Sequence, residues 1–171
     1  DEQASAASRE LAGRATALKS SVAALRLRQG SADEALALVD RALPLLQQKG
    51  VQGASAALHS AEEGFVDRDL YVFVVDRQGT YRLHGAKPAM EGKRVHDVPG
   101  IDGDRFVREV FEAARQGGGW VEYDILNNET GAVMPKASYV KLLDSNLAVG
   151  CGVYRHDTTL PAAATASLSA A

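Results

Sequence analysis

The chain has 171 residues, 46% of them apolar and 24% charged, with a net charge of −3 at neutral pH. That length suits one domain with a helical extension and is enough for a real core. No basic stripe offers itself to a polyanion, so nucleic acid is not an expected partner. Cys151 is the single cysteine and excludes an internal disulfide. No apolar run approaches the roughly 18 residues of a membrane span, and no signal-peptide apolar segment is seen. The chain opens in a helical pattern without an initiating Met and reads as a piece of a longer protein.

The first third is expected to be helical. Leu11, Ala15, Leu18, Val22 and Leu25 form a heptad-like seam, with Arg9, Arg14, Lys19, Arg26 and Arg28 off it. Gly30 stops this helix, and Ser31 with Glu34 has the spacing of a capping box that starts a second. Pro44 lies inside the second helix and is expected to kink or interrupt it. A short third helix, about Gln52 to Ser60, follows Gly50.

From Tyr71 the period changes to 2. Tyr71 to Val75 reads as a strand, Asp76 to Gly79 as a turn, and Thr80 to His84 as the returning strand. Gly85 to Gly103 holds two prolines and four glycines and is expected to be a structured loop. Asp104 to Gln116 is an amphipathic helix, ended by Gly117, Gly118 and Gly119. Trp120 to Ile125, Lys136 to Leu143 and Leu147 to Tyr154 complete the strands, joined by turn-forming segments at Asn127–Gly131 and Asp144–Asn146. The expectation is an α+β fold with a five-stranded antiparallel sheet. The division is 1–63 helical, 64–155 sheet domain and 156–171 tail.

Catalytic and metal chemistry is poorly supplied. His59, His84, His96 and His156 share no ligand spacing, no phosphate or dinucleotide fingerprint occurs, and no cofactor is expected. Gly117–Gly119 follows a helix and precedes a strand, the reverse of a phosphate cradle. Cys151, between two glycines in an apolar strand, reads as a buried inert thiol.

The strands instead concentrate aromatic and polar side chains: Tyr71, Phe73, Tyr81, His84, Trp120, Tyr123, Lys136, Ser138, Tyr139 and Tyr154. Aromatics fill cores as readily as they line pockets. Lys136 starts a strand and shares a face with Ser138. It suits recognition of a small carboxylate, or equally a snorkelling role at a strand end.

An ordered series of segments carries a family resemblance: FVDRDLYVFV (Phe65–Val74), DRQGT (Asp76–Thr80), HGAKP (His84–Pro88), EGK (Glu91–Lys93), Asp102-Gly103, GWVEY (Gly119–Tyr123), PKASYV (Pro135–Val140) and GCGVY (Gly150–Tyr154). The series resembles the single Cache domain of bacterial receptors, above all methyl-accepting chemotaxis proteins. The resemblance implies a PAS-like extracytoplasmic sheet, periplasmic in an inner-membrane receptor, that binds a C2–C3 carboxylate such as acetate, propionate, pyruvate or lactate. It implies a pocket drawn from Phe73, Tyr81, His84, Trp120, Tyr123, Lys136 and Tyr139. It also implies a homodimer through the first helix and a tail leading to a membrane span. Strand alternation puts Trp120 and Tyr123 on opposite faces unless a bulge intervenes. Lys87, in place of a common Asn, and Asp124–Asn128 depart from the family pattern near the expected pocket mouth.

Overall fold

The computed structural model describes residues 29–127 and 130–155. The Leu11–Leu25 seam and the tail from His156 lie outside the described residues. Ser31 starts helix α1 (Ala32–Leu58) with the expected capping box: its side chain accepts from the Glu34 N–H, and its own N–H donates to the Glu34 carboxylate. Pro44 does not break this helix. The interruption falls at Gly50, whose φ of 71° is costly for any residue with a Cβ. A proline removes one hydrogen bond and crowds one carbonyl, which the flanking turns of α1 absorb here. A reversed φ cannot be absorbed within a helix. The predicted third helix is thus the part of α1 beyond Gly50.

The strands are β1 (Val66–Asp67), β2 (Leu70–Asp76), β3 (Tyr81–His84), β4 (Gly119–Leu126), β5 (Val133–Leu142) and β6 (Leu147–Tyr154). Five of them answer the predicted five. The sixth, β1, is a two-residue strand folded back on the start of β2. Across the sheet the order is β3–β2–β6–β5–β4, antiparallel throughout. Buried Asp76 organises the β2–β3 turn: one carboxylate oxygen accepts from the N–H groups of Gln78 and Thr80, the other from Arg82 Nε.

Helix α2 (Gly103–Arg115) begins at Asp102, whose side chain accepts from the Arg105 N–H. The loop before it carries two short 3-10 turns, Pro88–Met90 and Val95–Asp97. Strand alternation then builds two cores. Val72, Val74, Trp120, Tyr139, Val149 and Cys151 meet α1 on one face. Phe73, Val75, Tyr81, Val121 and Val140 meet Phe106, Val110 and Phe111 of α2 on the other. Among the described residues no helix is long and apolar enough to cross a membrane.

Candidate functional site

The candidate site grows from the cross-strand register on the α2 face. Tyr123 pairs with Lys136, and Lys136 pairs with Tyr154, so three strands present these side chains in one row. Ser138 follows two residues after Lys136 on the same face. Phe73 pairs with His84, and Tyr81 follows across a register shift, which brings β3 to the same side.

Lys136 is 3% exposed. Its Nζ donates to the Tyr71 hydroxyl at 3.3 Å and lies 4.9 Å and 4.8 Å from the ring centroids of Tyr71 and Tyr154. Among the described residues no carboxylate is within ion-pair distance of it. Burial pushes its ammonium below the usual lysine range, only partly opposed by Tyr154, Cys151 and Asp69. A buried cation held by one hydroxyl and two ring faces is costly to keep.

His84 stacks on Tyr71, with ring centroids 4.4 Å apart. Burial, then the charges of Lys136 and Lys87, hold its imidazole down to about 4, so the ring is neutral at pH 7. Its Nδ1 accepts from the Lys87 N–H at 2.9 Å, which puts the ring proton on Nε2 as a donor. Tyr123 and Ser138 share a 2.7 Å hydroxyl hydrogen bond, and Phe106 meets the Tyr123 ring edge-on at 4.8 Å. Burial also raises the phenols of Tyr71, Tyr81 and Tyr123, which therefore stay neutral hydroxyls.

Lys136, Tyr123 and Phe106 open onto a pocket of about 420 Å³, within the size range of small-molecule sites. Its rim carries Asp102, Arg105, Glu109, Glu122, Asp124 and Arg155. The face is rich in hydrogen-bond donors, with one buried positive charge and aromatic walls. Chemically it can orient a small anion. Among the described residues no group of three or more His, Cys, Asp or Glu is placed to hold a metal ion.

Five of the seven residues expected at the site share this face: Phe73, Tyr81, His84, Tyr123 and Lys136. Trp120 and Tyr139 do not. They pair with each other across β4 and β5 and lie against the α1 core, because β4 keeps an unbroken register with β5 from Gly119 to Leu126. No bulge turns Trp120 toward Tyr123. Cys151 lies on the α1 face too, where burial pushes its thiol up to about 12. Tyr71, Ser138, Tyr154 and Phe106, which are not among the seven, contact Lys136 or Tyr123 on this face. Period-2 counting from Phe73 and Lys136 would have found the first two.

Fold and face together define a PAS-like sensor module. The single Cache domain 2 family matches residues 17–167, and the chain belongs to that family. Domains of this family are non-catalytic extracytoplasmic sensors of receptors and kinases that bind small molecules. A curated relative, the sensor histidine kinase MctS of Rhizobium johnstonii, is 34% identical over 114 residues, 66% of this chain and 24% of the relative. The chain thus spans about a quarter of that relative's length. Among solved structures, a methyl-accepting chemotaxis protein from Vibrio parahaemolyticus superposes with a TM-score of 0.54, at 24% identity over 70% of this chain and 82% of that one. A Cache chemosensory domain described for carboxylic acid recognition gives 0.51, at 22% identity over 72% and 92%. These two likenesses concern the fold.

Proposed function

We propose that this chain is the periplasmic sensor domain of a membrane-anchored chemoreceptor, and that it binds a C2–C3 carboxylate on Lys136. The observation that carries the reading is a lysine buried among aromatic rings with no carboxylate within ion-pair distance among the described residues. Ligand carboxylate would supply the missing charge, with Tyr71 and the Tyr123–Ser138 pair as neighbouring hydrogen-bonding groups and Phe106 as apolar wall. Phe73, Tyr81 and His84 share the face but do not line this pocket. Occupancy would bias the arrangement of the sheet against its helices, and the first helix would pair two copies and carry the change outward. The identity with MctS supports a second reading, in which the same module serves a histidine kinase. The sequence following the tail in the parent protein separates the two.

Thermal-shift measurements on the full chain with acetate, propionate, pyruvate and lactate test the ligand class. An acid present at about 100 times its Kd should stabilise the fold by about 2.7 kcal/mol, and Lys136→Ala should abolish that shift. The reading fails if no acid raises the Tm or if the shift survives the substitution.

A further inference from the structure

The pocket beside Lys136 contains a second charged group that a plain carboxylate leaves unused. Glu109 lies three residues beyond Phe106 on α2, which puts both on the helix face toward the sheet, and it is 9% exposed. Its Oε1 accepts from Arg105 Nε at 2.9 Å. Its Oε2 is buried and has no hydrogen-bond partner among the described residues. A buried carboxylate oxygen left without a hydrogen-bond partner is costly to keep. Glu109 and Lys136 line the same pocket, together with Phe106 and Tyr123.

The remaining charges at the pocket reinforce the asymmetry. Its two arginines, Arg105 and Arg155, pair with Glu109 and Glu122. Asp102 and Asp124 line it as well, and among the described residues neither forms an ion pair with a cation. Three cationic and four anionic side chains therefore surround the space. A monoanion deepens that negative excess, a dianion deepens it further, and a zwitterion leaves it unchanged.

We infer that the ligand is an aminocarboxylate zwitterion, its carboxylate on Lys136 and its ammonium on Glu109 Oε2, with Asp102 and Asp124 adding negative potential around it. The inference rests on the carboxylate–lysine reading and narrows it. Discrimination against the acid lacking the ammonium comes from leaving the Glu109 oxygen unmet. The same rim selects against dicarboxylates.

Calorimetric titration of the full chain with matched pairs tests this: alanine against propionate, γ-aminobutyrate against butyrate, with succinate as the dianion. At least one amino acid should bind about tenfold or more tightly than its partner acid, and succinate should bind weakest. Glu109→Gln should erase the preference without weakening the plain acid, and Lys136→Met should abolish binding of both. If both plain acids bind as tightly as their amino partners, the zwitterion inference is overturned and the carboxylate reading stands. Equal weakening of amino and plain acids by Glu109→Gln also overturns it. If no acid of any kind binds, both fall together. Should Glu109→Gln fail to fold by circular dichroism, the wild-type pairs decide alone.

Discussion

The two faces of the sheet are built from the same strands and yet hold opposite chemistry. The α1 face is apolar: Val72, Val74, Val149 and Cys151 surround Trp120 and Tyr139, whose ring centroids are 5.6 Å apart. The α2 face buries Lys136, His84 and Ser138 about as deeply, with Tyr123 partly buried beside them. One residue of alternation separates the two environments along β5, where Lys136 and Tyr139 point to opposite sides. The first face gives stability through area removed from water. The second gives up stability to hold polar groups where a ligand can meet them.

The largest expected effect sets the faces directly against each other. Trp120 is 1% exposed, and Trp120→Ala should cost about 3–5 kcal/mol in urea unfolding. Lys136→Met should leave the ligand-free stability unchanged or raised, since it removes a buried charge that forms no ion pair among the described residues. Equal losses in the two variants would break the comparison, for Lys136 would then be part of the structural core.

Much of this division was legible in the sequence. Strand order along the chain, the capping box at Ser31, the α2 segment and the family resemblance all follow from local patterns, and the structure agrees with them. Trp120 and Tyr139 were drawn toward the pocket because the family resemblance groups aromatics by segment, while the face is decided by register. Alternation already separated Trp120 from Tyr123, and only an absent bulge decided between the alternatives. Pro44 does not interrupt α1, because a proline's cost is local and can be met by the helix around it, whereas the positive φ of Gly50 cannot. Glu109 was not legible as a site residue. On a helical wheel it reads as a partner for Arg105, and its unmet oxygen depends on how α2 sits on the sheet.

The next largest effect should appear in acid and only on the α2 face. Unfolded, His84 takes up a proton near the ordinary histidine range. Folded, it does so near 4. Between those values the unfolded chain binds more protons, so stability rises with pH and falls as pH drops toward 4. The contribution lost across that window is of order 2–3 kcal/mol. Carboxylates add their own slope, so the quantity to measure is the difference between wild type and His84→Gln from pH 6.5 to pH 4. A constant difference across that range would mean that His84 is no more desolvated than a surface histidine.

The smallest expected effect concerns the place where the two faces are tied together. Glu91 Oε2 accepts from His59 Nε2 at 2.8 Å and from the His84 N–H at 3.0 Å. His59 caps the end of α1, and His84 ends β3 against Tyr71, so one carboxylate oxygen links the helix of the first face to the wall of the second. The chain approaches closely here: a Cβ on Gly85 would lie 2.9 Å from the Leu58 carbonyl oxygen and 3.0 Å from that of Val72. Glu91→Ala should lower global stability by only about 1 kcal/mol, because the His59 side of the link is partly exposed and water can replace the carboxylate there. Its sharper consequence is local. The His84 amide loses its acceptor, and its hydrogen exchange should accelerate by more than the global change accounts for, while amides of β6 follow the global change alone. Equal acceleration at His84 and in β6 would show that Glu91 supports the fold as a whole and does not specifically join the pocket wall to α1.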